Sequence, residues 1–111
     1  MAANLVYKTP RRFAGLILYA SWPADSNSLA AADVPVLSVY GSNDGEADKL
    51  GASAGLLPAS ATLMKMEGAN HGQFGYYGLQ SGDGVATMSR TEQQARSVEA
   101  TVKFLRKLET P

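Results

Sequence analysis

The sequence predicts an α/β chain in which about three parallel strands are flanked by helices, and three observations predict it. Apolar runs of strand length recur at residues 13–20, 34–40 and 62–67. Segments with helical composition or periodicity separate and follow them, and helices alternating with apolar strands imply right-handed crossovers and parallel pairing. Finally, the second and third runs each lead into a short polar turn that carries a titratable group, Asp44 in one and His71 in the other. In open α/β sheets the reactive residues lie outside the carboxyl ends of the strands, so two groups placed this way could meet in one crevice.

Residues 2 to 8 suit a short helix that must close before Pro10, because proline supplies no backbone donor and clashes with the preceding turn. Phe13 to Ala20 is nearly all apolar, as a strand covered on both faces must be. Residues 23 to 33 combine Pro23 with small and polar side chains and read as a loop with room for a short helix. Val34 to Tyr40 is the second strand, with Pro35 tolerated at its start. Residues 46 to 57 read as a helix weakened by Gly51 and Gly55 and closed near Pro58. Thr62 to Glu67 is the third strand. In the final helix, Ser89 followed by Glu92 fits a capping box. Ala95, Val98, Val102, Leu105 and Leu108 recur there at intervals of three and four residues, an apolar stripe of the kind that packs on a core.

Composition bounds the function classes. A chain of 111 residues is expected to be a single domain over 1–111 at most, and a domain of this size buries somewhat under about 70% of the surface its unfolded chain exposes. With 45% hydrophobic and 18% charged residues it reads as folded rather than disordered. Nothing approaches the roughly 18 consecutive apolar residues of a membrane span. Ten basic and ten acidic side chains leave a formal net charge of zero, which supplies no field for nucleic acid or anionic lipid. Lys8, Arg11 and Arg12 read as a solvated helix end. Cysteine is absent, which excludes disulfides, thiolate chemistry and cysteine zinc sites. The single histidine has no zinc-ligand spacing around it, and neither a Gly-x-Gly-x-x-Gly fingerprint nor a P-loop occurs, so no metal or cofactor is expected. The first residues lack the basic and apolar regions of a signal peptide, which leaves a cytoplasmic location as the default.

Three stretches carry a family resemblance: Phe13 to Ser21, the turn Gly41-Ser42-Asn43-Asp44-Gly45, and Glu67-Gly68-Ala69-Asn70-His71-Gly72-Gln73-Phe74-Gly75. Together they resemble the last three strands of an α/β-hydrolase, more narrowly the esterase-like or dienelactone-hydrolase-like branch, and the similarity covers almost the whole chain, the loop from Gly72 to Met88 included. The implied fold is the C-terminal half of an α/β-hydrolase. The resemblance also implies roles: Asp44 matches the acid that orients the histidine, and His71 matches the general base. Met1-Ala2-Ala3-Asn4 resembles the inside of the helix that follows the nucleophile serine, which is then expected only a few residues before Met1. An Asn-Asp-Gly aspartate is also an ordinary turn residue, and a lone histidine beside a glycine bend also serves as a satisfied polar group.

The third member of a Ser-Asp-His triad is not found in its place. Such hydrolases run nucleophile, acid, histidine, with the serine on a sharp strand-to-helix turn, and the residues before Asp44 contain no such turn. Gly51-Ala52-Ser53-Ala54-Gly55 matches Gly-x-Ser-x-Gly formally. Its context is wrong, because polar helix-like residues precede it and it follows the acid, so Ser53 is expected to be a small packing residue. Backbone donors for an oxyanion come in this family from regions that this stretch lacks. Alone, the chain is therefore expected to hydrolyse esters poorly or not at all. Phe74, Tyr76 and Tyr77 either line an apolar ester pocket or anchor the long loop, and the anchor reading is favoured. A three-stranded sheet without the nucleophile strand leaves an apolar edge. The expected partners are thus a homo-oligomer mate or the nucleophile-bearing N-terminal half, with no nucleic acid and no membrane. The alternative to a hydrolase piece is a non-catalytic binding or assembly module derived from one.

Overall fold

The computed structural model describes residues 2–78 and 80–109. Its frame is one parallel sheet of three strands in the order β1 (Leu16–Tyr19), β2 (Val36–Gly41) and β3 (Thr62–Met66). Leu16 stands opposite Val36 and Tyr19 opposite Val39, while Leu37 stands opposite Thr62 and Gly41 opposite Met66. Three α-helices flank it among the described residues: α1 (Ala2–Lys8), α2 (Ala47–Ala52) and α3 (Arg90–Glu109). None of the described helices is long and apolar enough to cross a membrane.

Strand alternation sends successive side chains to opposite faces, and each face has its own core. On one side Leu16, Leu18 and Val36 pack with Ala3 and Val6 of α1 and with Leu29, Val34 and Leu57 of the connecting segments. On the other, Leu37, Val39, Met66 and Ala69 pack with Phe74, Met88 and the α3 residues Ala100 and Phe104. β2 is the central strand and is buried along its whole length. A strand covered on both faces has no use for polar alternation, which is why residues 34–40 read as a continuous apolar run.

The boundaries move most at β1 and in the helix expected over 46–57. β1 is shorter than 13–20, because its pairing with β2 runs only from the Leu16 amide on the Pro35 carbonyl to the Ala20 amide on the Val39 carbonyl. Ala20 then turns the chain away at φ +52°. Residues 10–12 ahead of it form a 3₁₀ turn instead, and Lys8, Arg11 and Arg12 are solvent-exposed as expected. The helix expected over 46–57 divides into α2 and a 3₁₀ turn at Ser53–Leu56. The loop over 23–33 holds one short 3₁₀ turn, Asp25–Asn27.

The larger correction concerns α3. Its inward face is Gln93, Ser97, Ala100, Thr101 and Phe104, whereas Val98, Val102 and Leu105 of the expected stripe are 60%, 39% and 47% exposed. Leu108 alone of that stripe turns partly inward. The inward polar groups are satisfied locally, Ser97 donating to the Gln93 carbonyl at 2.8 Å and Thr101 to the Ser97 carbonyl at 2.7 Å, so hydrophobicity alone misreads the face. Thr101 bonds the Tyr19 hydroxyl, and Phe104 and Leu108 crowd Gly15 just before β1. Continuing around the helix from those contacts, the exposed stripe falls on the side of α3 beyond β1, which is an edge of the sheet.

Candidate functional site

The two turns at the carboxyl ends of β2 and β3 are built against each other. A Cβ on Gly41 would stand 2.2 Å from the Ala69 carbonyl oxygen, so only glycine permits that approach. The Ser42 amide donates to the Met66 carbonyl at 2.9 Å and the Asn43 amide to the Ala69 carbonyl at 2.8 Å, while the Gly68 amide, at φ +88°, donates to Ser42 Oγ at 2.8 Å. These bonds extend the strand pairing by one turn past the sheet and bring residues 44 and 71 to the same rim.

Asp44 occupies a turn at the head of α2. Its Oδ1 accepts the Glu46 amide at 2.8 Å, its carbonyl accepts the Ala47 amide at 3.0 Å, and its side chain is only 3% exposed. The other carboxylate oxygen, Oδ2, lies 3.2 Å from His71 Nδ1. An ionised carboxylate can only accept, so Nδ1 carries the proton and Nε2 of the neutral ring is left with its lone pair. The His71 side chain is 47% exposed, and among the described residues its ring has no hydrogen-bond partner other than Asp44. An imidazole held in one tautomer with an accessible basic nitrogen is equipped to take a proton from a hydroxyl. The sequence-derived candidates Asp44 and His71 are therefore brought together.

Asp83 and Gln93, which the sequence reading passed over, hold this arrangement together with Asn70. The Asp83 carboxylate accepts the amides of His71 at 3.1 Å, Gly72 at 2.9 Å and Gly84 at 3.1 Å. Gln93, 0% exposed on α3, accepts the Asn70 amide at 3.3 Å and donates to the Asn70 carbonyl at 2.8 Å. Asn70 in turn donates to the Gly84 carbonyl at 2.9 Å and accepts the Gln73 amide at 3.0 Å. Nothing in composition marked them: Asp83 stands in Ser-Gly-Asp-Gly, which reads as a plain turn, and Gln93 as a solvated helix residue. The one available signal was positional, since Gln93 falls on the helical arc with Ser97, Ala100 and Phe104.

The 72–88 loop is fastened by these polar groups and not by its tyrosines. Phe74 packs on the second core and stacks on Tyr19 at 5.5 Å between centroids, but Tyr76 and Tyr77 are 83% and 59% exposed, which corrects the expectation that they anchor the loop. Burying them is unnecessary where carboxylate and amide side chains already satisfy the loop backbone. Ser53 is fully occupied elsewhere: it is buried, has helical φ and ψ of −66° and −10°, and donates to the Leu50 carbonyl at 2.6 Å. It has neither the strained turn nor the exposure of a nucleophile.

Comparison with curated proteins and with solved structures finds no match. The sequence model described as the Alpha/beta hydrolase family matches residues 1–95, a stretch that contains all three strands and both Asp44 and His71. With most of the chain matched and three parallel strands flanked by helices, the chain belongs to the alpha/beta hydrolase family, and its fold is part of the α/β-hydrolase fold.

Proposed function

We propose that this chain supplies the acid and the general base of a carboxylic-ester hydrolase whose attacking hydroxyl comes from outside residues 1–111. The observation that carries the reading is the 3.2 Å contact of His71 Nδ1 with the buried Asp44 carboxylate, at the rim where strand ends meet. In the reaction His71 Nε2 takes the proton of a serine hydroxyl as its oxygen attacks the ester carbonyl. The same proton then passes to the departing alkoxide, and water repeats the cycle to release the acid. Asp44 keeps the ring in the competent tautomer and offsets the charge that forms on it. Ser53 takes no part.

The partner that completes the site is the nucleophile-bearing half of the fold; a second copy of the chain, carrying the same residues, covers the exposed face without supplying the hydroxyl. Supporting this are the exposed stripe Val98, Val102 and Leu105 beyond β1, with Tyr19 and Trp22 at 42% and 37% exposure. A module that uses this face only to associate, without catalysis, is the second reading, and the same observation favours it.

Hydrolysis of p-nitrophenyl acetate tests the assignment. The chain alone is expected to stay at the background rate, with Ser53→Ala making no difference. In the complex or longer polypeptide that carries the nucleophile, His71→Ala should lower turnover by about 10²–10⁴-fold. Turnover by the isolated chain that disappears in Ser53→Ala, or activity of the completed enzyme that survives His71→Ala, contradicts the proposal. A completed assembly with no esterase activity at all favours the association module.

A further inference from the structure

We infer that Asp83 is a positioning residue that sets the distance between His71 and Asp44, an inference that rests on the acid–imidazole reading of the site and deepens it. Asp83 lies between two places where the 72–88 loop touches the Asp44 turn at backbone contact. A Cβ on Gly45 would stand 1.7 Å from the Gly82 carbonyl oxygen, and one on Gly84 would stand 2.0 Å from the Asn43 carbonyl oxygen. The residues on either side of Asp83 are thus seated on the residues on either side of Asp44. Asn43 adds a further tie, its side-chain amide donating to the Val85 carbonyl at 2.9 Å.

From that seat the Asp83 side chain reaches the other turn. Its two oxygens take the amides of His71 and Gly72 at 3.1 and 2.9 Å, and the Gly84 amide at 3.1 Å fixes the carboxylate's own direction. A carboxylate that accepts several N–H bonds is held in one geometry by charge-assisted bonds, which are shorter and stronger than neutral ones. Asp83 therefore acts as a crosspiece, with main chain resting on the acid's turn and carboxylate gripping the main chain of the base. No direct bond between Asp83 and the imidazole is involved. His71 and Asp44 are related through β3 and β2, with Gln93 gripping the Asn70 backbone, on one side and through Asp83 on the other, and removing the Asp83 tie loosens the His71 main chain on that side. Displacement of a catalytic group by about 1 Å is enough to cost on the order of a hundredfold in rate.

Solvent exchange of the His71 Nδ1 proton, followed by NMR on the isolated chain, tests this. A resonance in the wild type that exchanges at least about tenfold faster in Asp83→Ala, with the circular dichroism of the fold retained, is the expected result. Asp83→Asn keeps one accepting oxygen and should give an intermediate rate, while backbone amides of β2 and α3 exchange at the wild-type rate in both variants, which general loosening of the structure does not produce. An Nδ1 proton that exchanges as slowly in Asp83→Ala as in the wild type overturns the inference while leaving the Asp44–His71 pair intact. Should the alanine variant fail to fold, Asp83→Asn decides by the same criterion, wild-type exchange counting against the inference. Absence of an Nδ1 proton in the wild type overturns the acid–imidazole reading and this inference with it.

Discussion

Replacing Gln93 by leucine probes the support of the site at its most buried point. The side chain is 0% exposed, so water cannot stand in for what it does. Leucine removes the partner of the Asn70 carbonyl at 2.8 Å and of the Asn70 amide at 3.3 Å. Gln73 Nε2 loses one of two acceptors but keeps the Met88 carbonyl at 2.9 Å. Each orphaned buried backbone group costs about 1–3 kcal/mol, and the long amide contact belongs at the low end of that range. The apolar side chain of leucine returns about 1–2 kcal/mol through better burial. At central values, about 3 kcal/mol lost and about 1.5 returned, the net loss is about 1.5 kcal/mol, or a Tm lowered by roughly 6–10 °C for a chain of this size. Thermal unfolding followed by circular dichroism measures it. A Gln93→Leu variant melting within about 3 °C of the wild type would refute the reasoning, because it would mean that Asn70 is held by something other than this side chain.

Three further outcomes follow from the same geometry. Gly41→Ala forces a Cβ into the Ala69 carbonyl, backbone against backbone, and should cost about 3 kcal/mol in denaturant unfolding; an unperturbed midpoint would show that the two turns do not touch. Ser53→Ala loses only a hydroxyl bond to a helix carbonyl and should change stability by no more than about 1 kcal/mol and ester hydrolysis not at all. Leu105→Asp alters an exposed position, so stability should move by less than about 0.5 kcal/mol, while sedimentation velocity should show self-association weakened. A wild-type chain that stays monomeric at every concentration contradicts self-association through this face.

Much of this fold was legible because burial on both sides of a strand leaves a plain signature. β2 and β3 stand within two residues of the apolar runs at 34–40 and 62–67. Asp44 and His71 were legible for a related reason, since each directly follows such a run in a turn rich in Gly and Asn. Ser89 caps α3 as expected, accepting the Glu92 amide at 3.1 Å, although the Glu92 carboxylate turns to Arg96 at 2.9 Å and does not close the box. The face of α3 was not legible, because periodicity locates an apolar stripe without saying which neighbour it meets. Here the sheet side is taken by Gln93 and Ser97, whose polarity is cancelled by bonds to Asn70 and to the helix itself. Asp83 escaped for a different reason: its work is done on backbone amides twelve residues away in sequence, and no side-chain pattern records such a contact.

The central claim is most directly tested by the tautomer of His71. A long-range ¹H–¹⁵N correlation spectrum, taken where the imidazole is neutral, should show the proton on Nδ1 in the wild type and a mixture of both tautomers in Asp44→Ala. A wild-type ring protonated on Nε2, or a spectrum that Asp44→Ala leaves unchanged, would contradict the account.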